Sequence, residues 1–266
     1  MILVQEAKGV IARRRVLHTL VQRDLHVRYA GSAIGYLWTI LDPLAMSGIY
    51  FVVFTFIFKA RHVGYQPYIL FLVVGLLGWQ WFSQSMTETA RALLQEARLV
   101  RSTNLPRELW VVRIVIAKGI EYVLSLPVLF AFAAYYIVQG DAHLNWRLVF
   151  VPVGIAIQFI LSTGIGLVLA PLTVLFTDMS RIVRIVLRMG FYATPIIYGL
   201  HAAPSSVRDV LAFNPMSGIL ELYRAGFFPN EVAWRAVGAS VVMSVVAIAL
   251  GAIIFRRLEP AVLKEI

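Results

Sequence analysis

Residues 148–176, LVFVPVGIAIQFILSTGIGLVLAPLTVLF, run for 29 positions without a charge. A helix needs only about 20 apolar residues to cross the hydrocarbon of a bilayer, so this one either tilts or projects beyond it. Reading outward in both directions gives five more stretches of the same character, at 37–58, 68–86, 109–138, 182–200 and 236–255. The whole 266-residue chain agrees: 60% of it is hydrophobic, 14% is charged, and the mean hydropathy is +0.79. Soluble domains carry roughly 25% charged residues, and one core could not bury this excess. The expectation is an all-α membrane protein with six transmembrane helices in a single domain, residues 1–266.

The net charge of +10 does not point to nucleic acid, because the Lys and Arg residues sit in blocks between apolar runs. With both termini inside, inner segments hold 18 of the 24 basic residues and outer segments hold six. That bias predicts a multi-pass membrane protein with N- and C-termini cytoplasmic. Arg13, Arg14, Arg15 and Arg23 interrupt the first apolar stretch, unlike a cleavable signal.

Two segments are neither spans nor plain loops. Across 9–29, apolar Val16, Leu17, Leu20 and Val21 alternate at near-helical spacing with Arg13, Arg14, Arg15, Arg23 and Arg28. That pattern predicts an amphipathic helix lying in the cytoplasmic interface. Residues 203–230 are cut by Pro204, Pro215 and Pro229 into pieces too short to span. Asn214-Pro215 reads as a helix start, with Pro at the first helical position. Two short external re-entrant helices before the last span are expected.

Catalytic chemistry is missing from the sequence. There are no cysteines, and the five histidines do not pair at helical spacing, so neither a thiol nucleophile nor a metal site is expected. No Gly-Lys dipeptide exists, hence no phosphate-binding loop, and the chain cannot hydrolyse ATP by itself. Ionisable residues in or near the spans are Asp42, Lys118, Glu121, Arg184 and Arg188, which cluster near the cytoplasmic ends. Lys118 and Glu121, three apart, share a helix face and can neutralise one another. An ion-coupled secondary transporter would need a charge deeper in the membrane.

Arg23-Asp24-Leu25-His26-Val27-Arg28-Tyr29, followed by Ser32-Ala33-Ile34-Gly35-Tyr36-Leu37-Trp38 and Asp42-Pro43-Leu44, resembles the opening motif of type 2 ABC transporter permeases. The closest group is the export family for polysaccharides and polyol phosphates (teichoic acid, O-antigen, galactan). Phe191-Tyr192-Ala193-Thr194-Pro195-Ile196-Ile197-Tyr198 resembles that family's fifth span. Asn214-Pro215-Met216 with Glu221-Leu222-Tyr223-Arg224 resembles its external helix. One departure is Asp42, where the family usually has Asn.

The resemblance implies a homodimer around a central channel, with two ABC nucleotide-binding subunits that hold ATP and Mg. The chain itself would bind no cofactor. The cargo implied is an undecaprenyl- or polyprenyl-pyrophosphate-linked glycan, taken up from membrane lipid. A permease for small hydrophobic drugs would share the architecture but have a narrower, less aromatic channel.

Residues 87–107, ending at Pro106, would be the helix that couples to the ATPase, through Glu88, Arg91, Glu96, Arg98 and Arg101. Sugar rings stack on aromatic side chains, which makes Tyr36, Trp38, Tyr50, Phe51, Trp79, Trp81, Phe82, Phe191, Tyr192 and Tyr198 channel candidates. The same residue types also gather in membrane-interface belts. Arg28 would meet the substrate phosphate, or else act as a positive-inside anchor. Ser162, Gly166 and Ala170, spaced by four, read as a helix-packing stripe.

Overall fold

The computed structural model describes residues 12–29, 35–57, 65–229 and 232–266, and among these it is all helix and connection, with no strand. Residues 9–11 and 30–34 lie outside the described residues, as do the side chains of Tyr36 and Asp42. The order is α1 (Arg14–Tyr29), a 3-10 turn (Gly35–Leu37), α2 (Trp38–Val52, ending in a π turn at Val53–Ile57) and α3 (Tyr68–Thr89). Next come α4 (Ala92–Gln95), α5 (Ala97–Ser102), α6 (Leu109–Val138) and α7 (Phe150–Leu175), the last entered by a 3-10 turn at Trp146–Val149. The chain closes with α8 (Met179–Ala193), α9 (Ser205–Ala212), α10 (Pro215–Arg224) and α11 (Trp234–Glu265).

Among the described residues, four helices are long and apolar enough to cross a membrane: Tyr68–Thr89, Leu109–Val138, Trp146–Leu175 and Trp234–Glu265. They cover the second, third, fourth and last expected spans, and the final helix runs ten residues past its expected end at Phe255. The other two are shorter. α8 stops at Ala193 because Thr194 precedes Pro195, whose ring disfavours helical backbone in the residue before it; Thr194 is extended, at φ −104° and ψ 140°. The expected fifth span to residue 200 is therefore a 15-residue helix followed by bends.

α3 is at the centre. Residues 68–79 are apolar all round, and neighbouring helices enclose them. Leu70, Phe71, Leu72, Val73 and Val74 are at most 1% exposed. α6, α7, α10, α2 and α8 pack around it. α7 and α11 form the tightest pair: a Cβ on Gly164 would lie 2.4 Å from the Ile248 nitrogen, and one on Gly251 only 2.3 Å from the Gly164 carbonyl oxygen. Only glycine lets the two backbones touch there. Ser162, Gly166 and Ala170 are buried on a neighbouring face of α7, and a Cβ on Gly166 would meet Val111 and Thr89.

Residues 87–107 do not form one helix. α3 runs on to Thr89, and breaks at Arg91 and Glu96 divide the remainder into α4 and α5. Ala92, Leu93 and Val100 are buried against Trp110, Val111, Leu167 and Phe255, which clamps both short helices to the base of the bundle, the end where α1 lies. The 203–230 segment does form two short helices. The Asn214 side chain accepts from the Met216 amide at 3.0 Å with Pro215 in the first turn, as the sequence predicted.

Candidate functional site

α2, α3 and α8 enclose an open cavity of about 610 Å³. Helical periodicity builds its walls. Leu76, Gln80, Ser83, Gln84 and Thr87 fall on one face of α3, and Arg184, Leu187, Arg188 and Phe191 on one face of α8. Trp79, Glu88, Tyr192, Met46 and Tyr50 complete it. One half is aromatic: Phe191 stacks on Tyr50 at 5.8 Å and meets Trp79 edge-on at 6.0 Å. The other half has two guanidinium groups facing a ladder of amides and hydroxyls.

Of the predicted channel residues, Trp79, Phe191 and Tyr192 meet in this groove. Trp81 points elsewhere: it is 3% exposed, donates its indole N–H to the Val115 carbonyl at 3.2 Å and stacks on Tyr122 at 5.3 Å. Trp38 is 47% exposed at the start of α2 and does not line the groove. Tyr198 lies past the end of α8, its hydroxyl donating to the Tyr192 carbonyl at 3.0 Å. The polar ladder Gln80-Ser83-Gln84-Thr87 was missed. Its signal was four polar residues at helical spacing running out of an apolar span.

Below the groove lies a network of four bases and four acids. Arg113, with its side chain 4% exposed, donates to Asp24 at 3.0 Å and Glu96 at 3.2 Å, and Arg23 also pairs with Glu96. Arg28 holds Glu88 at 2.6 Å and Glu121 at 3.3 Å. Lys118, 1% exposed, reaches Glu88 at 3.1 Å, Glu121 at 3.0 Å and Gln84 at 2.8 Å. The expected Lys118–Glu121 pair thus forms as part of a larger cluster that ties α1, the α3–α5 segment and α6 together. Burial lifts the Asp24 carboxyl above the usual range, against the pull of Arg113 and Arg23.

This network divides the expected coupling residues. Glu88 and Glu96 point inward into ion pairs, while Arg91, Leu94, Arg98 and Leu99 are exposed. Arg101 donates to the Ile266 carbonyl at 2.6 Å. Arg28, expected at a substrate phosphate, is instead engaged by two carboxylates.

At the opposite end, two of the quoted motifs touch. Arg224, 2% exposed, donates to the Pro195 carbonyl at 2.6 Å and the Ile196 carbonyl at 2.7 Å, with its guanidinium 3.6 Å above the Phe71 ring. Asn214 donates to the Ala193 carbonyl at 3.1 Å and the Thr194 hydroxyl at 2.9 Å. The non-helical backbone after α8 thus has its carbonyls satisfied by the helix that begins at Pro215, as backbone in a dry interior requires.

Among the described residues no group of side chains could hold a metal ion, and the groove is polar and aromatic above a charged base. The chain belongs to the ABC-2 type transporter family, whose sequence profile matches residues 15–228. That family supplies the membrane component of ABC exporters, which is not itself catalytic. The chain is similar to an O-antigen export system permease protein of Myxococcus xanthus, 32% identical over 82% of each chain. It is also similar to one of Klebsiella pneumoniae (28% identical, 92% of each). A polysialic acid transport protein of Escherichia coli is 24% identical, over 96% of this chain and 98% of that one.

Proposed function

We propose that this chain is the membrane-spanning permease subunit of an ATP-driven exporter that moves a lipid-linked polysaccharide across the cytoplasmic membrane. The observation that carries this reading is the groove, whose stacked aromatics suit the C–H faces of sugar rings while its amides and hydroxyls suit their hydroxyl groups. The groove is open, which fits a polymer that must slide. The relatives named for O-antigen and polysialic acid favour a cell-surface glycan over a small drug.

The finer architecture belongs to the same proposal. α2 with its π turn is 20 residues long, about 30 Å of helix, and α8 with the bent segment after it is the other short crossing; counting both gives six spans. Both termini then lie in the cytoplasm, α1 lies in the inner interface, and α9 and α10 are the re-entrant external helices. Ile185, Val186 and Met189 on α8 are 57–67% exposed, an apolar face suited to lipid or to a second copy. The groove between α2, α3 and α8 is open, which supports a homodimer closing a shared channel. Two separate ATPase subunits, carrying ATP and Mg, would dock on Arg91, Leu94, Arg98 and Leu99. The cargo would be an undecaprenyl- or polyprenyl-diphosphate glycan.

The test is deletion in the source bacterium, complemented with wild-type or Trp79→Ala/Phe191→Ala chain. Deletion should abolish surface glycan while lipid-linked glycan accumulates inside, and the double variant should restore little. Unchanged surface glycan after deletion would sink the proposal.

A further inference from the structure

Arg184 and Arg188 stand one turn apart on α8, and both line the groove. Among the described residues neither has an ion pair or hydrogen bond, whereas Arg23, Arg28, Arg107, Arg113 and Lys118 are each held by a carboxylate. Among the described side chains Glu88 is the one acid lining the groove, and it is committed to Arg28 and Lys118. Among the described side chains, which do not include Asp42, no uncommitted acid on the groove wall balances the two guanidinium groups, and like charges at this spacing repel one another. All three arginines of this helix are exposed, but Arg181, one turn earlier, has an acid beside it, Asp178 at 3.9 Å.

We infer that Arg184 and Arg188 form an anion site whose ligand is the diphosphate joining the glycan to its lipid carrier. The inference rests on the reading of the chain as a glycan exporter. Two planar forks with Cβ atoms about 5–6 Å apart suit two adjacent phosphates, each accepting paired N–H donors. The Gln84 amide oxygen accepts from Lys118, which leaves its NH₂ group to donate, and the Gln80 amide lies one turn away on the same face. Along α8 the order is cation, cation, aromatic, aromatic, the order of groups in a ligand whose diphosphate carries sugars. The exposed Ile185, Val186 and Met189 offer the same helix's apolar side to the carrier's tail. Arg28, by contrast, is already bound to Glu88 and Glu121.

A phospholipid headgroup shares the phosphate chemistry, so the test must separate the two. The chain with its ATPase subunit is reconstituted in phosphatidylcholine vesicles and titrated with radiolabelled farnesyl diphosphate. Saturable binding is expected, weakened about tenfold or more in Arg184→Gln/Arg188→Gln and partly retained in Arg184→Lys/Arg188→Lys. Arg181→Gln/Arg257→Gln, which removes the same charge from the same side, should bind as wild type. Farnesyl monophosphate should bind more weakly, and phosphatidylglycerol added to the vesicles should not displace the diphosphate. Unchanged affinity in the Gln pair, or displacement by phosphatidylglycerol, overturns the inference. In cells, wild-type export by the Gln pair would overturn it and leave the exporter reading standing; export that does not depend on the chain at all would remove that reading instead.

Discussion

Replacing Arg224 with Met keeps the length of the side chain and removes its donors. Two short charge-assisted bonds, to the Pro195 and Ile196 carbonyls, are lost together with the contact over the Phe71 ring. Bonds to charged groups contribute about 1.5–3 kcal/mol each, and a desolvated cation–π contact about 2 kcal/mol. Relief of burying the guanidinium offsets part of this, and the stranded carbonyls add to the cost. A net loss of about 3–5 kcal/mol is expected, the range for breaking a buried charged contact. At roughly 2–4 °C per kcal/mol, the apparent melting temperature in detergent should fall by about 6–20 °C. Gly75 supplies an internal check, because a Cβ there would lie 2.5 Å from an Arg224 Nη. Gly75→Ala should destabilise by itself but add less in the Arg224→Met background, since part of the clash has gone. A melting temperature within about 2 °C of wild type, or strict additivity, would refute the idea that Arg224 holds the bend after α8.

At the base, Lys118→Met should destabilise by about 3–5 kcal/mol by leaving Glu121 buried without its lysine, and adding Glu121→Gln should recover most of that; thermal melting of both variants decides. Gly251→Val should abolish a monodisperse peak in size exclusion, because the nearest obstacle to its side chain is backbone. Arg91→Ala/Arg98→Ala should leave melting unchanged while lowering glycan export per ATP hydrolysed. Glu96→Ala should lower the melting temperature itself, since Arg113 and Arg23 depend on that carboxylate.

The long spans and the short helices between Pro204 and Pro229 were legible because hydropathy and proline act locally. The Asn214 cap was equally readable, since a cap is written within three residues. The network was not, because Arg23, Glu96 and Arg113 are separated by many residues and only tertiary packing brings them to one point. Glu88 and Glu96 read as outward decoration for the same reason: a charge on an amphipathic segment does not declare whether water or a buried arginine will meet it. Trp81 and Trp79 show the limit inside a span. Two residues apart on one helix, they point to different neighbours, and α3 is apolar on too many sides for its sequence to say which side borders the groove. Hydropathy runs on past Ala193, but the helix ends there because Pro195 holds Thr194 extended.

The Gly164–Gly251 crossing has a mechanical consequence. Where two backbones touch with no side chain between them, there is no rotamer to swap and no gap to slide through, so α7 and α11 act as a stator. α2 and α8, set across an open groove, with α8 joined to α3 by the Trp79–Phe191 edge, have the slack that pair lacks. If the bundle flexes as cargo passes, the hinge is on the α2–α8 side, and its travel ends where Arg224 and Asn214 pin the bend.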